Sequence, residues 1–414
     1  MFDYTKYFDT CLDRLHAEKR YRIFRNIARE RGNFPTAKLN DSGTTKTITV
    51  WCSNDYLGMG QNTVVLKAIH DAVEQFGAGA GGTRNISGTH KLIVELEDEL
   101  ADLHNKEAAL VFTSGYIANE ASLSTLGAMI KDCVIISDSE NHASMIEGIR
   151  HSKAKKFIFR HNDVDHLEEL LKDIPKETPK IVAFEALYSM DGDRAPLKEI
   201  IDVSKKYGAL TYVDETHSVA LYGPRGGGLL EDTGLLDEVD IIQGGLGKGV
   251  GVVGGFITAS RRIVDLIRSH GAGFIFTTAL PPMVAAGALA SIRYLKENQT
   301  ERIALLTTAN KVKQKMLERD LPILLTDTHI VPFMVRDSQL CQEIADILLH
   351  DFNIYIQPIN YPTVPRGSER LRITPSPLHT DKMIDHLVNS LSKVWGRYSE
   401  KLTGLSIMES NVRV

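Results

Sequence analysis

The sequence is poor in cysteine, close to balanced in charge and free of long hydrophobic runs, and each shortage excludes something. Its four cysteines, Cys11, Cys52, Cys133 and Cys341, are scattered through 414 residues. None forms a C-x-x-C pair, so neither a zinc site nor a disulfide framework is expected, and a reducing compartment is the simpler reading. Lys and Arg total 48 against 53 Asp and Glu, a net charge of −5. That balance argues against a nucleic-acid-wrapping surface and against a polybasic membrane patch. No apolar run reaches the roughly 18 residues of a spanning helix. The start, Met1-Phe2-Asp3-Tyr4, has no basic stretch leading into an apolar one, so a cytoplasmic protein without a signal peptide is expected. What remains is an ordinary globular composition, 43% hydrophobic and 24% charged, long enough for two or three domains built without staples.

From Tyr4 to Arg31, Phe8, Leu12 and Leu15 recur at helical spacing and predict a surface helix. Gly32 to Thr47, with Pro35, Asp41 and Gly43, predicts a loop or short hairpin, and Thr49 to Cys52 a short strand. From about residue 108 strand-like runs recur at Ala108–Phe112, Cys133–Ile136, Phe157–Phe159, Ile181–Phe184, Leu210–Val213 and Val239–Ile242. Helical patterns separate most of them, which predicts an α/β fold with crossover units on a mostly parallel sheet. The strand ends carry Thr113-Ser114, Ser137-Asp138, Glu185 and Asp214-Glu215. Ligands of open α/β sheets bind at such ends. A boundary near Asn298 opens a smaller α+β domain. The expected division is an N-terminal segment 1–57, a large domain 58–297, a small domain 298–402 and a tail 403–414.

Gly249-Val250-Gly251-Val252-Val253-Gly254 matches the G-x-G-x-x-G string of dinucleotide sites, but Gly255 to Ala259 reads as a strand. A pyrophosphate needs that turn to open a helix, so the match is a decoy. Gly247-Lys248 is followed by Gly249, not Ser or Thr, and is no P-loop. Lys248 itself stands among five glycines in 244–251, which leaves its stem uncrowded. A flexible surface loop is the plain reading; a lysine bonded to a carbonyl is the functional one. Asp214 ends a strand and suits a pyridine nitrogen, or a helix cap. His217 suits a ring hydroxyl, His142 a ring face, and Ser114-Gly115-Tyr116 a phosphate at a helix N-terminus. Each also has a bland alternative, but their joint placement at successive strand ends favours pyridoxal phosphate.

From about Tyr21 to Trp395 the chain resembles the α-oxoamine synthases among fold-type-I pyridoxal-phosphate enzymes. The specific stretches are Val50 to Gly60, Gly77 to Ser87, Asn141 to Gly148, Tyr188 to Gly192, Tyr222 to Gly228 and Pro358 to Pro377. The resemblance implies condensation of glycine with succinyl-CoA, releasing CoA and CO2 and giving 5-aminolevulinate. It implies that Lys248 carries the cofactor and removes the glycine α-proton. Asp214 would pair with the pyridine nitrogen, His217 and Ser189 would hold the ring hydroxyl, and His142 would stack on the ring. Ser114, Gly115 and Tyr116 would receive the phosphate, with Thr277 and Thr278 supplied across a homodimer. Asn54 and Arg372 would hold the amino-acid carboxylate. Arg22, Thr83, Asn85, Ile86, Ser137 and Thr363 would form the rest of the substrate pocket, Arg22 facing the succinyl carboxylate and Asn85 near the thioester. Arginine suits such work because its fork matches a carboxylate with two parallel hydrogen bonds.

The chain departs from that pattern. Position 245, usually a threonine whose hydroxyl helps hold the phosphate, is Gly245. Losing one charge-assisted hydrogen bond costs roughly 1.5–3 kcal/mol, or about 10- to 100-fold in affinity. Ile93 stands where histidine is common, Gly249 and Val250 where alanine and phenylalanine are common, and Ala220 where glycine is expected. Two other readings stay open on the sequence: a sister enzyme using another acyl-CoA, or a non-catalytic scaffold. Arg22 argues against a donor without a second carboxylate, and the retained Lys248, Asp214, His142 and His217 argue against a scaffold.

Overall fold

Ile181 to Phe184 form an unbroken apolar run, and all four are fully buried, as a strand covered on both faces requires. In the computed structural model, which describes residues 1–18, 20–41 and 43–398, this run lies inside a seven-stranded sheet. Across the sheet the strands are Ala108–Phe112, Gly255–Ala259, Ile241–Gly245, Leu210–Asp214, Lys180–Glu185, Val134–Asp138 and Lys155–Phe159. Gly255–Ala259 runs antiparallel to both neighbours, and the pairings from Ile241–Gly245 outward to Lys155–Phe159 are parallel. The expected mostly parallel sheet is therefore present, and the G-x-G-x-x-G string is a turn between two strands. Gly251 shows what that turn needs: its φ is +81°, and a Cβ there would meet Gly60 N at 2.5 Å.

The chain divides into two compact units. One comprises Asn54–Ser189 and Asp193–Ala304 and contains the seven-stranded sheet; the other comprises the described residues of Met1–Ser53, Met190–Gly192 and those from Leu305 onward. In this division the described residues before Asn54 fall in one unit with those from Leu305 onward. Ile354–Tyr355 pairs in parallel with Thr49–Val50 and extends the hairpin formed by Thr36–Asp41 and Thr44–Val50. A second sheet of this unit pairs Arg370–Ile373 with Val331–Met334 and Pro358–Ile359. Its core includes Trp51, Phe333, Leu348, Leu371 and Leu391. The tail at 403–414 lies outside the described residues.

The N-terminal helix is shorter than its spacing suggests, spanning Tyr4–Ala17 with no buried residue. A helix without a packed face gains nothing by continuing. Asn26–Ala28 instead finds ladder partners in Lys38 to Asn40. Helices Thr63–Phe76, Lys91–Leu103, Arg261–His270 and Pro282–Glu297 were not singled out from the sequence. Ile93, one of the departures, is fully buried on Lys91–Leu103 and packs in the core.

Candidate active site

Three parallel strands end in residues that converge. Val134–Asp138 runs into the turn bearing His142, Lys180–Glu185 ends in Glu185, and Leu210–Asp214 ends in Asp214, which is paired in register with Glu185. Asp214 is 4% exposed. Its Oδ2 accepts from Asn119 Nδ2 at 2.7 Å and its Oδ1 from the Thr216 amide at 2.7 Å. Asn119 is held in turn by Tyr212, whose hydroxyl donates to Asn119 Oδ1 at 2.9 Å. The carboxylate is thus aimed by two donors, and its remaining lone pairs can take a third.

His142 caps the helix Ala143–Ser152. Its Nδ1 accepts from the Ser144 amide at 3.2 Å and meets Ser144 Oγ at 2.7 Å, which leaves the ring proton on Nε2. The side chain keeps an exposed face, yet the density of protein around it lowers its pKa. Asp214 opposes that shift and Lys248 adds to it. A neutral, flat imidazole results. Its main-chain N–H donates to Glu185 Oε1 at 2.6 Å. Burial first, and then the charge of Asp214, push the Glu185 carboxyl well above the usual range, with Lys248 acting against them. Lys248 is half-buried in the glycine-rich turn after Ile241–Gly245, and its charge acts on both His142 and Glu185.

His217 is 7% exposed, and its Nδ1 meets the Tyr56 hydroxyl at 2.9 Å. Tyr56 lies 3.4 Å from Asn54 Oδ1, so Asn54, Tyr56 and His217 form one chain. Ser114 caps the helix Gly115–Met129, its Oγ accepting from Ile117 N at 3.2 Å. Helix geometry leaves the N–H groups of Gly115 and Tyr116 without intrahelical acceptors. Tyr116 meets His142 edge-on, with ring centroids 6.4 Å apart. Ser137 does not face outward. It is 5% exposed and accepts from Asn141 Nδ2 at 2.9 Å, beneath the turn that carries His142.

Thr83 and Thr278 form an antiparallel bridge, and Thr83 Oγ1 donates to Asn85 Oδ1 at 2.7 Å. Ile86 and Phe276 beside them are 76% and 81% exposed. Ser189 closes one segment of the same unit. Arg22, Thr363 and Arg372 belong to the other unit, where an Arg22 nitrogen donates to Thr363 Oγ1 at 3.2 Å. There Arg20, Arg22 and Arg25 line a cavity of about 700 Å³ together with Tyr355, Ile359 and Thr363.

Tyr56, Asn119, Glu185, Thr216 and Gln243 belong to this site but were not assigned roles from the sequence. Glu185 was noted only as a strand end. The pairings that bring in the others, Tyr56 with His217, Asn119 with Asp214 and Thr216 with Gln243, span 27 residues or more and leave no local signal. The assembled groups fit pyridoxal phosphate: a lysine for an aldehyde, a buried oriented carboxylate for a ring nitrogen, a flat neutral imidazole, and an open helix N-terminus for a phosphate. Among the described residues, no cluster of His, Cys, Asp and Glu could hold a metal ion, and no helix is long and apolar enough to cross a membrane.

A lysine in the turn after one strand of a mostly parallel sheet, with an aspartate ending the neighbouring strand, defines a class, and the chain belongs to it. It is a member of the aminotransferase class I and II family, whose model matches residues 46–391. Among solved structures it is similar to serine palmitoyltransferase of Sphingomonas wittichii, with a TM-score of 0.88 and 30% identity over 96% of this chain and 99% of that one. Curated relatives narrow the class. The 5-aminolevulinate synthase of Rhizobium meliloti (strain 1021) is 54% identical over 95% of this chain and 98% of that relative. The 5-aminolevulinate synthase 1 of Cereibacter sphaeroides is 56% identical over 95% of this chain and 97% of that relative.

Proposed function

We propose that the chain is a pyridoxal-phosphate-dependent acyltransferase that condenses glycine with succinyl-CoA, releasing CoA and CO2 and yielding 5-aminolevulinate for tetrapyrrole synthesis. The observation that carries this reading is identity of 54–56% along 95% of the chain to relatives that bear that activity's name. The site geometry supports it.

Bound pyridoxal phosphate supplies an aldehyde carbon that joins to amines and a ring that takes up an electron pair from the carbon beside the bound nitrogen. Lys248 Nζ would hold that aldehyde carbon. The same amine would take the glycine α-proton. Asp214 keeps the ring nitrogen protonated, with Asn119 and the Thr216 amide fixing its carboxylate. His142 covers one ring face in its neutral form. His217, held by Tyr56, and Ser189 receive the ring hydroxyl. The N-terminus of Gly115–Met129 takes the phosphate with Ser114, Gly115 and Tyr116.

Asn54 binds the glycine carboxylate, and Arg372 is a carboxylate-binding residue of its own unit. Arg22 and Thr363 bind a substrate carboxylate within one unit; in the other, Thr83, Asn85 and Ile86 are acyl-donor residues, and Ser137 acts beneath, through Asn141. The working form is a homodimer in which Thr277 and Thr278 complete the partner's phosphate site. The exposed Ile86 and Phe276 flanking the Thr83–Thr278 bridge give that contact an apolar surface. The reaction is placed in the cytoplasm, where the unpaired thiols Cys11, Cys52, Cys133 and Cys341 stay reduced.

The test is a cofactor scan with substrate addition. The protein is purified with pyridoxal phosphate, desalted, and its visible absorbance recorded before and after glycine and then succinyl-CoA. A band that shifts with glycine, with 5-aminolevulinate formed only when both substrates are present, is the expected result. A retained band without product defeats the substrate assignment, and no band in excess cofactor defeats the enzyme.

A further inference from the structure

Gly245 leaves no hole. A Cβ built there would stand 2.9 Å from Thr216 Cγ2 and 3.3 Å from Thr216 Oγ1. Thr216 therefore already occupies the space into which a side chain at 245 would grow. The same threonine looks toward the first residue of the helix Gly115–Met129. A Cβ built on Gly115 would lie 3.7 Å from Thr216 Oγ1, 3.7 Å from Gly245 Cα and 3.4 Å from Gln243 Nε2. Three chain segments meet there, and of Gly115, Gln243, Gly245 and Thr216 it is Thr216 that carries a hydroxyl.

We infer that Thr216 is a cofactor-binding residue: its hydroxyl donates to the phosphate at the N-terminus of Gly115–Met129, in place of the hydroxyl that Gly245 lacks. This rests on the pyridoxal-phosphate reading above. Thr216 Oγ1 now donates to Gln243 Oε1 at 3.1 Å. A hydroxyl proton swings about its C–O bond without moving heavy atoms, and a phosphate oxygen is a stronger acceptor than a neutral amide. Gln243 keeps its own donations, to the carbonyls of Gly244 at 3.0 Å and Gly115 at 3.4 Å. The Thr216 amide is already tied to Asp214 Oδ1. One residue thus links the carboxylate end of the site to its phosphate end, and Gly245 and Thr216 form a pair in which one side chain excludes the other.

The test measures pyridoxal-phosphate affinity of the cofactor-stripped protein by absorbance and fluorescence titration, alongside its melting temperature without cofactor. Thr216→Val keeps the shape and removes the hydroxyl; it is expected to bind about 10- to 100-fold more weakly. Thr216→Ser keeps the hydroxyl and is expected to bind within a few-fold of the wild type. Gly245→Thr alone is expected to lower the melting temperature, because its Cβ meets Thr216. Adding Thr216→Ala leaves the two Cβ atoms at 3.6 Å, an ordinary contact, and is expected to recover both melting and affinity. Should Thr216→Val not fold, Thr216→Ala alone gives the same readout. Wild-type affinity in the Val variant, or equal losses in the Ser and Val variants, overturns the inference. A wild type that takes up no cofactor overturns the underlying reading instead.

Discussion

Replacing Ala220 by glycine should stabilise the protein, and its neighbour Gly249 should respond. Ala220 adopts φ +70°, a left-handed conformation that costs an L-residue about 1–2 kcal/mol. Its amide donates to the Gly226 carbonyl at 2.7 Å, which holds the turn there. Glycine removes the strain but frees the unfolded chain by about 0.4–1 kcal/mol, so the net gain is about 0.5–1 kcal/mol. For a cooperative unit of some 250 residues that is a rise of about 1–4 °C. Gly249→Ala is the reciprocal change. Its Cβ would meet Val219 O at 2.7 Å and Ala220 Cβ at 2.8 Å, and overpacking of that kind costs about 1–3 kcal/mol. Removing the Ala220 methyl first takes away one of those two contacts. The double variant should then melt above the sum of its singles by about 0.5–2 kcal/mol, the size usual for touching residues. The assay is thermal and urea unfolding of all four proteins. A lower melting point for Ala220→Gly, or strict additivity in the double variant, would refute the argument.

Tyr56→Phe removes the hydroxyl that meets His217 Nδ1 at 2.9 Å; a loss of about 0.5–1.5 kcal/mol should weaken cofactor affinity by up to about tenfold, and unchanged binding would place Tyr56 outside the site. Glu185→Gln imitates the neutral acid that burial and Asp214 favour and should melt close to the wild type at neutral pH. Glu185→Ala strips the acceptor from the His142 amide and should cost about 1–3 kcal/mol; equal melting of the Gln and Ala variants would sink that reasoning. His161 lies between Asp138 Oδ1 at 3.0 Å and Asp193 Oδ2 at 2.9 Å. Burial opposes its charge, but the two carboxylates win and push its pKa up to about 10. A folded pKa raised above the unfolded 6.5 gives stability that is full below pH 6.5 and lost as pH rises through about 10. Urea unfolding should show wild-type stability falling over that window and a flatter profile for His161→Gln; parallel profiles would contradict the triad.

Much of this protein was readable from local pattern. Ala108–Phe112 and Gly255–Ala259 are the strands that their apolar runs announce, because a buried strand needs only a short continuous stretch of such residues. Helices at 164–172 and 197–206 follow from spacing of apolar positions. The strand-end residues Ser114, His142, Asp214 and Lys248 could be picked out because strand ends are where a parallel sheet binds ligands. The sequence could not join Ile354–Tyr355 to Thr49–Val50, since a parallel pairing across some 300 residues leaves no local trace. Nor could it pair Tyr56 with His217 or Asn119 with Asp214, contacts made by side chains whose own neighbourhoods are unremarkable. The departures make the same point. In sequence, Gly245 and Ala220 read as isolated losses. In three dimensions one faces Thr216 and the other faces Gly249, because side-chain volume is shared between segments that only folding brings into contact.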